Sequence, residues 1–221
     1  MALAGPGFAN GQTTIAFKVP HGAQPRRARA GWQSGCCQGL LPGGWRGYRR
    51  AALKSGAAMP TVTIRPAVEA DCPTILRFVR ELAEFEKEPH AVKATEEDFR
   101  RDGWGERPVF EALIAELDGQ PVGFALCFRN YSTWEGRAGL FVEDLYVTPE
   151  ARRYGVGRKL LATVAKLAAE RGCRRVDLNV LDWNPARDFY QRIGFRQMEE
   201  WLPYRLTGDA IKALAAQADE A

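Results

Sequence analysis

Residues 140–161, LFVEDLYVTPEARRYGVGRKLL, constrain this chain more than any other stretch. Positions 140–147 are apolar and partly β-branched apart from Glu143 and Asp144, the signature of a buried strand with two carboxylates set into it. Pro149 ends the strand, and a turn rich in arginine and glycine follows, Arg152-Arg153-Tyr154-Gly155-Val156-Gly157. Leu160, Leu161, Val164, Leu167 and Ala168 then recur at helical spacing, which predicts a helix to about Arg171. A strand feeding a glycine-rich turn at a helix start is a cradle for an anion. The backbone N–H groups of the first helical turn lack partners, and the helix dipole favours negative charge there. Glycine at 155 and 157 lets a phosphate come close to the backbone. Arg152, Arg153, Arg158 and Lys159 add positive charge. The pattern lacks the third glycine of a dinucleotide fingerprint and the Gly-Lys-Ser/Thr of a P-loop.

The elements before and after this stretch fit one α/β domain. Alternation predicts a strand over 61–65, ended by Pro66, and Asp71 is placed to cap a helix carrying Ile75, Leu76, Val79, Leu82 and Phe85. Thr95 and Asp98 form a loose capping box for a second helix over 95–101, which Gly103-Trp104-Gly105 is expected to break. Strands over 110–116 and 121–130 are joined by the hairpin turn Asp118-Gly119. A polar turn carrying Trp134 covers 131–139. Gly172 ends the long helix, a strand follows over 176–181, and Asp182-Trp183-Asn184-Pro185 opens a helix to Arg192. A late strand over 201–206 and a terminal helix over 208–217 complete a mixed sheet flanked by helices.

Composition narrows the function classes. No run of eighteen apolar residues exists, so no membrane span is predicted. Five cysteines without paired spacing and two histidines predict no metal site, and scattered cysteines in apolar surroundings fit reduced core residues of a cytoplasmic protein. Residues 1–58 hold eight lysines and arginines and no acid, leaving 23 of the 31 basic residues against all 27 acids in the rest. The folded part is therefore mildly acidic and suits a cationic substrate better than nucleic acid. Residues 1–58 also hold eleven of the 22 glycines and read as a disordered basic extension ahead of a domain spanning 59–221. A mitochondrial transit peptide is the alternative for that leader.

At Arg152, Gly155 and Gly157 the sequence resembles the GNAT superfamily of acyl-CoA-dependent N-acetyltransferases, whose pyrophosphate loop reads Arg/Gln-x-x-Gly-x-Gly/Ala. A second matching segment is Asn184 followed by Phe189-Tyr190-Gln191-Arg192-Ile193-Gly194-Phe195, although Asn184 to Tyr190 is one residue shorter than the family's usual spacing. Within the superfamily the chain is most similar to the diamine acetyltransferase group, which covers spermidine/spermine and thialysine N-acetyltransferases. Ile64-Arg65-Pro66-Ala67, the run from Glu81 to Glu86, Tyr131-Ser132-Thr133-Trp134, the run from Val142 to Val147 and Leu181-Asp182-Trp183-Asn184 carry that likeness. The Ser-Thr-Trp form resembles the thialysine branch, where polyamine-preferring members have Asp-Pro-Trp.

The resemblance implies a GNAT-like, largely antiparallel sheet, acetyl-CoA as co-substrate, and a small primary amine as acceptor. It implies direct attack in a ternary complex, a homodimer, and no metal. Leu145, Tyr146, Val147, Arg152, Arg153, Tyr154, Gly155, Val156, Gly157 and Arg158 are implied to hold acetyl-CoA, with Asn184 and Tyr190 on the pantetheine side. Phe85, Glu86, Glu143 and Asp144 are implied to line the amine pocket. Amine acetylation needs a proton acceptor for the ammonium and a donor for the departing thiolate. Glu143, acting through water, is the expected base and Tyr190 the expected acid. Neighbouring strand residues face opposite sides, so only one of Glu143 and Asp144 is expected to face the cleft. Two alternatives remain open on the sequence: acetylation of protein lysines or N-termini, and a non-catalytic acyl-CoA-binding module.

Overall fold

The computed structural model describes residues 60–218. The expectations for the leader lie outside the described residues. A five-stranded sheet in the order β1-β2-β3-β4-β5 organises the domain. Its strands are β1 (Val62–Pro66), β2 (Glu111–Leu117), β3 (Gln120–Ser132), β4 (Arg137–Val147) and β5 (Val176–Leu178). The first four run antiparallel to their neighbours, and β5 lies parallel to β4. The predicted hairpin turn forms with both central residues at positive φ, Asp118 at 50° and Gly119 at 81°. That conformation matches the twist of the flanking strands and favours Asp-Gly.

Five α-helices among the described residues flank the sheet: α1 (Cys72–Phe85), α2 (Glu96–Trp104), α3 (Val156–Glu170), α4 (Ala186–Arg192) and α5 (Asp209–Ala216). Alternating side chains of the sheet feed two cores. On one face Ile114, Phe124, Leu126 and Tyr146 pack against Ile75, Leu76 and Phe78 of α1 and Phe99 of α2. On the other face Leu113, Ala125, Cys127, Leu140 and Val142 pack against Val156, Leu160, Leu161 and Val164 of α3.

Several local expectations change in the structure. The capping box of α2 forms as read, with Thr95 Oγ1 accepting from the Asp98 N–H. The helix nevertheless runs through Gly103 to Trp104, because Trp104 gains an edge-to-face contact with Phe110 (6.1 Å) that offsets the glycine. Asp71 stands at the N-cap of α1 but does not cap it. Its carboxylate takes two hydrogen bonds from the Arg65 guanidinium (2.7 and 2.9 Å) and one from the Val68 N–H (2.8 Å). These bonds, the Arg65 ones foremost, hold the Asp71 carboxyl below the usual carboxylate range. Arg65 also binds Glu116 on β2 (2.7 Å), tying the edge strand to the start of α1.

The late strand expected over 201–206 does not form. Residues 201–207 have no regular structure, and Trp201, Leu202, Tyr204 and Leu206 stand exposed. A strand needs a neighbour to satisfy its N–H and C=O groups, and no strand among the described residues pairs with this segment. β5 likewise stops at Leu178, three residues earlier than expected.

Replacing Asp71 with alanine strands the Val68 N–H and halves the contacts of Arg65. Because Arg65 is partly exposed, the expected loss is about 1–2 kcal/mol of unfolding free energy, read from urea denaturation at neutral pH.

Candidate active site

The site is built where β4 and β5 part. β5 pairs with β4 only from Leu140↔Val176 to Val142↔Leu178. Beyond that point residues 143–147 have only β3 as a strand neighbour, and their other edge opens beneath the turn leading into α3. Val147 ends β4, a 3-10 turn over Pro149–Tyr154 follows, and Gly155 adopts a left-handed conformation (φ 75°) before α3 begins at Val156.

That glycine sets the cradle. The first intrahelical bond at this end of α3 runs from the Lys159 N–H to the Gly155 carbonyl (3.1 Å). The N–H groups of Val156, Gly157 and Arg158 therefore precede the helical ladder and carry no backbone bond among the described residues. They form a set of donors at the positive end of a fifteen-residue helix. A β-carbon on Gly157 would meet only ordinary contacts, Phe189 at 3.7 Å and Val147 at 3.8 Å. The chain's own packing therefore does not require glycine there, and a small residue keeps the backbone open to an approaching anion.

The arginines divide into two groups. Arg152 Nε donates to the Val147 carbonyl (3.0 Å), and its guanidinium lies over the Phe85 ring (5.2 Å), so it braces the loop against α1. Lys159 donates to the Val62 carbonyl of β1 and points away from the turn. Arg153 and Arg158 are exposed and make no ion pair or side-chain hydrogen bond among the described residues, which leaves them to meet an anion. Tyr154 and the side chains of Leu145 and Val147 pack against the core under α3. Tyr146 turns the other way, toward Phe78 (5.9 Å) and Glu81. These β4 residues can therefore serve a ligand through their backbone.

The two carboxylates are placed by a β-bulge. Leu126 pairs with Asp144, whereas the next residue, Cys127, pairs with Val142, so Glu143 has no partner across the ladder. A bulge resets the alternation of side chains. Val142 and Leu145, three positions apart, both pack toward α3, while Leu126, directly opposite Asp144, packs toward α1. Glu143 and Asp144 accordingly both turn to the α1 face. This corrects the expectation that only one of them would face the cleft.

Glu86, just past the end of α1, joins them. Burial raises its carboxyl above the usual range. Asp144 is raised further, to about 6, first by burial and then by the charges of Glu143 and Glu86. Like charges gathered in a partly dry site oppose each other's ionisation, and a cation entering among them would relieve that cost. Tyr190 on α4 lies within reach of one of these charges, that of Glu86. Its phenol is pushed up to about 12 by burial and by Glu86, so it keeps its proton at neutral pH. Its ring packs between Phe189 (5.4 Å) and Phe195 (5.8 Å), which fixes its direction.

Asn184 is buried, and its carbonyl oxygen accepts from the Ala186 N–H (2.9 Å) at the start of α4. Its amide NH₂ donates to no group among the described residues and is left for a ligand. Two residues not singled out as site residues from the sequence also stand here. Trp183 packs on Phe85 (6.0 Å), and the Lys87 ammonium lies over the Trp183 ring (5.0 Å). No group of three or more His, Cys, Asp or Glu side chains among the described residues is arranged to hold a metal ion.

Comparison with known proteins gives the family and the fold. Residues 76–195 match the Acetyltransferase (GNAT) family. A thialysine N-epsilon-acetyltransferase of Sus scrofa is 44% identical over 171 residues, covering 72% of this chain and all of that one. The spermidine/spermine N(1)-acetyltransferase-like protein 1 of Homo sapiens is 33% identical over 169 residues, covering 72% of this chain and 24% of that protein. Among solved structures, an integron cassette protein from V. cholerae superposes with a TM-score of 0.60 at 25% identity, over 72% of this chain and 99% of that one. An aminoglycoside N-acetyltransferase in complex with CoA shares the fold, with a TM-score of 0.56 at 21% identity over 68% of this chain and 98% of that one.

Gly157→Ala separates binding from folding. The substitution fits the packing and adds a better helix former, so the thermal midpoint is expected to hold or rise. The KM for acetyl-CoA is expected to stay within a factor of about three, because the loop takes glycine or alanine at this position; a rise of about tenfold or more would show that a phosphate lies against the Gly157 α-carbon itself.

Proposed function

Since the chain belongs to the GNAT family of acetyltransferases, we propose that it transfers an acetyl group from acetyl-CoA to a small primary amine of the thialysine, lysine or diamine type. The observation that carries this reading is the bulge, which turns two carboxylates to one face near Glu86, the acid whose charge also reaches the half-buried phenol of Tyr190. The name of the relative that is 44% identical over its whole length supports the substrate class.

In this reading the pyrophosphate of acetyl-CoA lies on the amides of Val156, Gly157 and Arg158, with Arg153 and Arg158 over it. The pantetheine arm follows the open edge of β4 at residues 145–147, near the Asn184 amide. The acceptor enters as an ammonium ion, drawn by Glu86, Glu143 and Asp144. It must lose a proton before its lone pair can attack. Glu143, the exposed member of the pair, takes that proton through a water molecule, while Asp144 stays beneath it as a binding group. The amine nitrogen then bonds to the thioester carbonyl carbon, the C–S bond breaks, the Tyr190 hydroxyl gives its proton to the departing sulfur, and the second proton that the nitrogen sheds as it becomes an amide returns through solvent to the phenolate. A phenol held near 12 neither ionises prematurely nor competes as an anion for the cationic substrate.

The same reading includes a homodimer. Met198, Trp201, Leu202, Tyr204, Leu206, Ile211 and Leu214 are all exposed along the last part of the described chain. That much apolar side chain is costly to leave in water, and the outer edge of β5 pairs with no strand among the described residues. Strand addition from a second copy would satisfy both.

Acetyl-CoA consumption across thialysine, lysine, ornithine, putrescine and spermidine tests the proposed activity; no turnover with any of them would overturn it. Tyr190→Phe is expected to lower kcat by about 10²- to 10⁴-fold, the range of general acid catalysis. Its KM for acetyl-CoA should stay within a factor of about two, and an unchanged kcat would remove the role given to Tyr190.

A further inference from the structure

One cation beside the acidic site, Lys87, has no anionic partner among the described residues. The rings of Phe85 and Trp183 pack together at 6.0 Å, and each carries a cation of the chain. Arg152, over Phe85, is anchored by its hydrogen bond to Val147. Lys87, over Trp183, makes no ion pair and no side-chain hydrogen bond among the described residues. It rests on the aromatic face alone, an attraction that an anion within reach of the ammonium would exceed.

The backbone holds Lys87 in place at a cost. α1 ends in a Schellman motif: the Lys87 N–H bonds to the Glu84 carbonyl (3.1 Å) and the Glu88 N–H to the Ala83 carbonyl (2.9 Å). The motif puts Lys87 at φ 66°, a left-handed conformation usually given to glycine. A residue with a side chain is strained there, and such strain clusters at functional positions. What the position gains over glycine is the ammonium itself, one residue from Glu86 and across the Phe85–Trp183 pair from the start of α4. Adjacent residues 86 and 87 thus offer an anion and a cation side by side at the mouth of the pocket.

We propose that Lys87 is the specificity-determining residue of the amine site: its ammonium leaves the Trp183 face to pair with the carboxylate of an amino-acid substrate whose α-ammonium lies against Glu86. Lys87 would thereby give a physical basis, in this chain, for the amino-acid substrate in the name of its thialysine N-epsilon-acetyltransferase relative. The side-chain amine reaches Glu143 and Asp144 while the zwitterionic end stays at residues 86 and 87. A diamine or polyamine brings a second ammonium instead of a carboxylate and meets like charge at Lys87. This assignment rests on the amine-acetyltransferase reading above and narrows it.

Lysine and cadaverine have the same carbon chain and terminal amine and differ only in the carboxylate, so they isolate the effect. With the full chain and saturating acetyl-CoA, kcat and KM are measured for both amines in wild type, Lys87→Met and Lys87→Arg. Binding of each amine is measured separately by calorimetry with CoA present. The wild type is expected to favour lysine. Lys87→Met should raise the KM for lysine at least about tenfold with kcat nearly unchanged, leave cadaverine unchanged or improved, and so abolish the preference. Lys87→Arg should keep it. Equal effects on the two amines, or a preference that survives Lys87→Met, overturn the proposal while leaving acetyl transfer intact. Lys87-dependent binding of lysine without any acetylation supports the proposal and instead removes the acetyltransferase reading. Loss of folding in Lys87→Met is excluded by requiring unchanged cadaverine kinetics or binding, and Lys87→Arg gives an independent reading.

Discussion

The extra residue in β4 at Glu143 is the constraint on which the rest of the site depends. In a regular antiparallel pair, Glu143 and Asp144 would divide between the two cores, and one carboxylate would be driven into the apolar layer under α3. The bulge lets Val142 and Leu145 both stay in that layer and sends the two acids together toward α1. It falls just past the last β4–β5 pair, Val142↔Leu178. The chain thus changes the direction of its side chains and opens a sheet edge at one place. Bulges next to active sites re-aim side chains in this way.

Each flanking element has a role set by that opening. α3 brings its N-terminus to one end of the gap, with Gly155 at positive φ turning its first amides outward. α4 brings Tyr190 to the other side, fixed between Phe189 and Phe195. α1 ends at Phe85 and delivers Glu86. The resulting field is divided: anion-seeking donors at the helix start, and acids at the end of α1 and on β4. A thioester nucleotide and an ammonium-bearing acceptor are the pair of ligands that such a division of charge suits. Arg152 joins the two halves through Val147 and Phe85 without adding a free charge to either.

Much of this was legible in the sequence because it is local. The Asp118-Gly119 turn, the Thr95–Asp98 capping box and the turn through Gly155 each depend on a few neighbouring residues with distinct conformational preferences. What stayed hidden depends on pairing across the fold. Register belongs to two strands at once, so nothing in residues 140–147 alone reveals that Glu143 lacks a partner. The same limit explains residues 201–206, whose composition reads as a strand but which find no neighbour among the described residues. Asp71 was legible as a cap by position, yet Arg65, six residues back on β1, takes its carboxylate. Lys87 escaped notice because a left-handed helix end is read from glycine, and here the position carries a lysine whose side chain reaches Trp183.

The most direct measurement of this account is the carboxyl carbon resonance of Asp144, followed by NMR titration in the wild type and in Glu143→Gln. If the bulge holds both acids on the α1 face, Asp144 titrates near 6 and its midpoint falls when the Glu143 charge is removed. A midpoint in the ordinary aspartate range, near about 3.9, that does not respond to Glu143→Gln would contradict the shared face and the site built upon it.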